Sequence, residues 1–199
     1  MEEIERLLEE LKFEVGGTDA LKNTKEKIVL GTGNFAGNIM FIGDDNSLYI
    51  DENLKVKPGS SGEFLIKLCD IVGLSPDEYY ITTLTKSEKN YRELEERDRR
   101  DLKEYLMMQI SLMNPKIIVA LGQDVAELLL DREFKFLQEK GAILNWRGDI
   151  KILVTYDANF AKKSRDDGGK RAKVAVDFWG DLKTVKNSIE EIWYENISC

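Results

Sequence analysis

The sequence predicts an α/β fold: a three-layer α/β/α sandwich around a central parallel sheet. Short apolar runs suited to buried strands stand at Ile39–Ile42, Tyr79–Leu84, Lys116–Gly122 and Ile150–Tyr156, and stretches of helical periodicity separate them. That alternation joins parallel strands by right-handed crossovers and covers both faces of the sheet. The 199 residues, 42% hydrophobic and 33% charged, suit one domain over 1–199, without internal repeat or dividing linker.

The elements follow in order. Residues 1–14 form an acidic amphipathic helix: Ile4, Leu7, Leu8 and Leu11 recur at helical spacing among six glutamates, and Gly16-Gly17 ends it. Ile28-Val29-Leu30 begins a short extended piece. Gly31-Thr32-Gly33-Asn34-Phe35-Ala36 matches a dinucleotide-binding pattern, but that pattern needs a strand before it and a helix after it, and here a strand follows. It reads as a turn whose glycines supply positive φ. Ser60 or Ser61 caps a helix through Phe64, Leu65, Leu68 and Val72 that ends at Gly73.

Lys86–Glu104 reads as a solvated charge run, followed by a helix through Leu102, Leu106 and Ile110 that Pro115 stops. Gln123–Leu130 and Phe134–Lys140 are short helices. A basic loop follows the last strand, and a closing helix runs from about Ala172 to Trp193.

Composition removes whole classes of chemistry. There is no histidine, which excludes Ser-His-Asp and Cys-His nucleophile systems and imidazole bases, so carboxylates must carry any acid-base work. Cys69 and Cys199 are too few for a disulfide framework or a metal cluster and read as structural thiols. No apolar run is long enough to span a bilayer and no signal peptide is visible, so a cytoplasmic protein without a membrane partner is expected. A net charge of -8 argues against unspecific binding to nucleic acid.

The stretch most suited to chemistry is Gly43-Asp44-Asp45-Asn46-Ser47. It leaves the carboxyl end of the first buried strand, where open α/β sheets bind ligands. Asp44 and Asp45 are the candidate catalytic carboxylates, and solvated loop residues are the plain alternative. Free amides and the hydroxyls of Ser60 and Ser61 at a helix start suit a phosphate, with ordinary capping again the plain alternative.

The order of motifs resembles the uracil-DNA glycosylase superfamily, particularly its iron–sulfur branch. The resemblance rests on Ile39–Ile42 running into Gly43, on Tyr80-Ile81-Thr82-Thr83, on Asn114-Pro115-Lys116-Ile117-Ile118-Val119-Ala120-Leu121-Gly122 and on Trp179-Gly180-Asp181-Leu182-Lys183. It spans roughly Ile28 to Val185 and implies that family's fold. The family's G-E-A-P-G loop corresponds to Gly43–Ser47, and Asp45 takes the place of the aspartate in the related G-Q-D-P-Y loop, which positions water and stabilises the sugar cation. The phenylalanine on which uracil stacks corresponds to Lys57, the asparagine that reads its edge to Thr83, and the H-P-S loop to Asp157-Ala158-Asn159. The four cluster cysteines correspond to Gly16, Asp19, Ser87 and Leu102, so no cofactor and no metal are expected.

The resemblance implies Asp45 and Asp44 as catalytic groups and Gly43, Asn46, Lys57, Thr83, Asp157 and Asn159 around a base. Phosphate contacts would come from Ser60, Ser61, Lys162, Lys163, Arg165, Lys170 and Arg171. The expected function is a divergent glycosylase acting on DNA, preferentially single-stranded or damaged, with negligible activity on uracil in a duplex. Two rivals stand beside it. One is an inactive relative that binds nucleic acid or a protein partner; the other is a metal-dependent phosphoester hydrolase using Asp44, Asp45 and Asp157.

Overall fold

The computed structural model describes residues 2–24, 27–86 and 89–197. The chain runs α1 (Glu2–Gly16), β1 (Thr32–Gly33), β2 (Ile39–Gly43), α2 (Ser61–Val72), β3 (Tyr79–Thr83), α3 (Glu96–Met113) and β4 (Ile117–Leu121). Then follow α4 (Gln123–Leu130), α5 (Phe136–Glu139), β5 (Ile143–Asn145), β6 (Lys151–Thr155), α6 (Ala158–Gly168) and α7 (Lys173–Ile197). Among the described residues no helix is long and apolar enough to cross a membrane.

One six-stranded sheet has the order β1-β3-β2-β4-β6-β5. Its four inner strands are parallel, as the apolar runs predict, with Phe41 opposite both Ile81 and Val119. All residues of β2, β3 and β4 are buried, which explains why these strands read as continuous apolar runs instead of alternating ones.

Side chains still alternate between two cores. Ile39 and Phe41 join the core under α2, α6 and α7 with Phe64, Leu65, Ala161, Phe178 and Leu182. Met40 and Ile42 join the opposite core under α3 and α4, with Leu106, Ile110, Val125 and Leu129. A third cluster seats α1 on the start of α3 through Leu11, Val15, Leu21, Leu30, Leu94 and Leu102.

The structure corrects four expectations. The Gly31–Ala36 turn contains β1, an antiparallel edge strand on β3, although Gly33 does have the expected positive φ of 103°. β5, antiparallel on β6, has no counterpart in the sequence reading, because three residues carry too little pattern. The basic stretch after the last strand is not a loop: Asp157 caps α6, accepting from Phe160 N at 2.8 Å, and Ala158 and Ala161 bury its inner face.

The run from Lys86 is not wholly solvated either. The Lys86 ammonium lies inside, donating to Thr82 Oγ1 and, at 2.6 Å, to the Thr83 carbonyl; burial lowers its pKa to about 7. Cys69 is buried in α2, and burial pushes its thiol well above the ordinary range, in keeping with a structural role. Cys199 lies outside the described residues.

One close approach fixes the loop after β2. Gly62, in the first turn of α2, donates its N–H to the Ser47 carbonyl at 3.3 Å, and a Cβ there would meet the Leu48 carbonyl oxygen at 2.0 Å. The obstacle is backbone, so it cannot rotate away. Gly62→Ala is expected to cost about 1–3 kcal/mol through overpacking, seen as a lower denaturation midpoint at an unchanged m-value. Unaltered stability would mean that α2 and this loop slide apart freely.

Candidate functional site

Strand order dictates where the site lies. From β2 the chain crosses to β3 on one side, then to β4 on the other, so a crevice opens at the carboxyl ends of β2 and β4. There the structure has a cleft of about 550 Å³ lined by Asp44, Asp45, Asn46, Asn90, Glu93, Leu121, Gly122, Gln123, Asp124, Val125, Asp157 and Asn159. Among the described residues five carboxylates line it and no lysine or arginine does.

Each element supplies its part for a local reason. Gly43 ends β2 without a side chain because a Cβ would meet Leu48 Cδ1 at 2.5 Å. The chain then turns, and Asp45 is fixed in place: Oδ1 accepts from Ser47 N and Ser47 Oγ, both at 2.8 Å, and Oδ2 accepts from Ser61 Oγ. The Ser47 and Ser61 hydroxyls also touch each other at 2.7 Å. Asp44 points the other way and accepts from Tyr91 N, at 2.9 and 3.0 Å to its two oxygens. After β4, Gly122 takes a φ of 109° that suits glycine, and its absent Cβ faces Asp157 at 3.6 Å.

The cleft shifts the ionisation of its own groups. Burial raises the Asp44 pKa to about 6, the Tyr91 N–H pulls it back, and the carboxylates of Asp124, Asp157 and Glu93 push it further up. Asp157 is also raised, first by burial and then by the Asp45 carboxylate, against the N–H of Phe160. The Arg92 guanidinium hydrogen-bonds Asp124 from outside the lining.

Of the residues expected around a base, Asp44, Asp45, Asn46, Asp157 and Asn159 converge on the cleft. Gly43 underlies it as the buried last residue of β2. Lys57 is exposed in the turn before α2 and does not line the cleft. Thr83 is buried, and its hydroxyl bonds the Tyr49 hydroxyl at 3.1 Å. Of the phosphate candidates, Ser60 accepts from Glu63 N as an ordinary cap, and Ser61 is buried against Asp45.

Lys162, Lys163 and Arg165 extend along α6 away from the cleft, and Lys170 and Arg171 follow in a 3₁₀ turn. Asp166 pairs with both Lys162 (2.5 Å) and Arg165 (2.8 Å). The sequence reading missed Asn90, Glu93, Gln123 and Asp124. The last two could have been found from their position just after β4, whereas Asn90 and Glu93 were hidden in a charge run.

Two cofactor readings meet this geometry. Among the described residues no three acidic or thiol side chains are placed to share a metal ion, so the phosphoesterase reading lacks a ligand set. The cluster positions do not fit an iron–sulfur centre. Gly16 offers no side chain, Asp19 pairs with Lys22 (2.5 Å) and Arg97 (3.2 Å), and Leu102 is packed among leucines. Ser87 lies outside the described residues.

A family model described as the uracil DNA glycosylase superfamily matches residues 30–183. A type-4 uracil-DNA glycosylase of Archaeoglobus fulgidus is 30% identical over 146 residues, 68% of this chain and 72% of the relative. One of Sulfurisphaera tokodaii is 30% identical over 187 residues, 85% of each chain. One of Thermotoga maritima is 24% identical over 149 residues, 74% of this chain and 78% of the relative.

The raised Asp44 pKa makes a stability prediction. Between the ordinary value of 3.8 and about 6 the folded state holds this proton more tightly than the unfolded state. Stability from the protonated group is therefore complete below pH 3.8 and lost as pH rises through about 6. Asp44→Asn, which keeps an acceptor for Tyr91 N, should be more stable than the parent at pH 7.5. The gain is about 1 kcal/mol after allowance for screening of a half-exposed group, or roughly 2–4 °C. At pH 4 the two proteins should melt together. Equal melting at both pH values would assign Asp44 an ordinary pKa.

Proposed function

The chain belongs to the uracil DNA glycosylase superfamily, and on that premise we propose that it hydrolyses the N-glycosidic bond of a base in DNA. The observation that carries the proposal is the convergence of Asp44 and Asp45, from the end of β2, with Asp157 and Asn159, from the end of β6, in one cleft. Breaking this bond develops positive charge on the sugar, so a fixed carboxylate facing the sugar lowers the barrier. Asp45, held by three donors, suits that electrostatic role. Asp44, with a pKa of about 6, suits the removal of a proton from the attacking water near neutral pH.

A base in a duplex must leave the stack to reach such a cleft, at a cost of about a few kcal/mol. Neither Lys57 nor Thr83 lines the cleft to recover that energy by stacking or edge recognition, which supports single-stranded or damaged DNA as the better substrate. The phosphates would be gripped by Lys162, Lys163, Arg165, Lys170 and Arg171, because α6 starts at the cleft and carries the first three of these cations, and the turn after it the last two.

Base release from single-stranded and duplex DNA carrying modified bases tests the reaction. Asp44→Asn should lower kcat by about 10²–10⁴ with little change in binding. For the parent protein kcat/KM should rise with pH through about 6 and level off above it, because the base works deprotonated. A variant that turns over at the parental rate would remove Asp44 from the reaction.

Neutralising the five cations together should weaken DNA binding and flatten its dependence on salt concentration, since each lost phosphate contact lowers the slope by roughly one. An unchanged salt slope in a filter-binding titration would take α6 out of the interface.

A further inference from the structure

The place of the cleft is fixed by the strand ends; its charge decides which base fits. Resting on the glycosidic-bond reading above, we infer that this site selects bases that carry a positive charge while still attached to the sugar. N-alkylated purines such as 7-methylguanine and 3-methyladenine are the simplest class.

Three features of the cleft lead there. Among the described residues its ionisable lining is Asp44, Asp45, Glu93, Asp124 and Asp157; no lysine or arginine lines it, and the Arg92 guanidinium pairs with Asp124 from outside, which leaves the other four unopposed there. Its neutral polar groups are the amides of Asn46, Asn90, Gln123 and Asn159, and Gln123 already donates to Glu127 at 2.8 Å. Asp157, at the end of β6, is the cap of α6 and accepts from Phe160 N, which holds its carboxylate at the cleft.

These features disfavour a leaving group that becomes negative. Uracil departs as an anion and needs donors or a cation beside it, whereas here it would develop charge against a carboxylate. An N-alkylpurine reverses the balance. The C1′–N9 bond breaks with both electrons going to the purine, which cancels its positive charge, and it leaves neutral without a proton donor. Water oxygen bonds to C1′, and its proton passes to the Asp44 carboxylate. Charge thus moves from base to sugar during the reaction, towards Asp44 and Asp45. Asp157 then contributes to recognition of the cationic base, while Asp44 and Asp45 contribute to turnover.

The test uses the full chain with two DNAs of one sequence, one bearing 7-methylguanine and one uracil, each single-stranded and duplex. Released base is quantified by chromatography after subtraction of spontaneous loss. The alkylated base should be released at least tenfold faster than uracil. Asp157→Asn, which retains a good helix cap, should shrink that ratio about tenfold, chiefly through a higher KM for the alkylated base. Uracil released as fast or faster would overturn charge selection and leave glycosidic hydrolysis standing. Release of neither base would overturn both readings. A ratio unchanged in Asp157→Asn would also overturn the inference, because the selection would not come from the charge of this cleft.

Discussion

The cleft depends on the hydrogen bonds that Ser47 and Ser61 give to the Asp45 carboxylate. They tie the turn after β2 to the first turn of α2, and so fix a charged side chain beside a strand end that is otherwise wholly apolar. A half-buried carboxylate needs such donors to replace the hydration it loses. The same contact favours glycine at two places, most strictly at the second. Gly43 makes room for Leu48, and Gly62 lets the helix backbone come within contact of the Leu48 carbonyl. Loop, helix start and carboxylate are therefore tied into one unit, so the position of the carboxylate is set by packing and hydrogen bonds together.

Much of this was legible in the sequence because burial on both faces leaves a plain mark. The four parallel strands read correctly as apolar runs, and Gly43–Ser47 was singled out by its place at a strand end. What failed did so for physical reasons. In α6 only Ala158 and Ala161 are buried, too small a stripe to stand out among lysines and aspartates, so a helix resembled a loop. Lys86 opens a charged run yet reaches inward to the Thr82 hydroxyl, and composition cannot tell a solvated lysine from one that turns back. The motif correspondence for Thr83 gave the correct strand, but the partner that occupies its hydroxyl, Tyr49, lies 34 positions away in sequence and invisible to local pattern.

The same long-range logic explains how the fold does without thiolates near the start of α3. Leu102 joins Leu11, Val15, Leu21, Leu30 and Leu94, so apolar packing holds α1 and the following segment against α3. The Asp19–Arg97 pair joins the two elements at the surface. Packing is the larger contributor, because an exposed ion pair is worth about 0–1 kcal/mol whereas burying one leucine is worth about 1.5–3 kcal/mol.

Around the start of α6 two groups of charge lie next to each other, with Asp157 between them. Towards the cleft, five carboxylates repel one another, and that repulsion adds to burial in keeping Asp44 partly protonated near neutral pH. Along α6 and the turn after it stand the cations that suit a phosphate backbone. An occupant of the cleft then shifts the ionisation of Asp44 itself. A positively charged group would relieve the repulsion, lower the Asp44 pKa and leave the carboxylate ionised. An anionic group would do the reverse, raising the pKa and holding the site protonated. By linkage the ligand that best fits the charge of the cleft is also the one that favours the ionised Asp44 carboxylate.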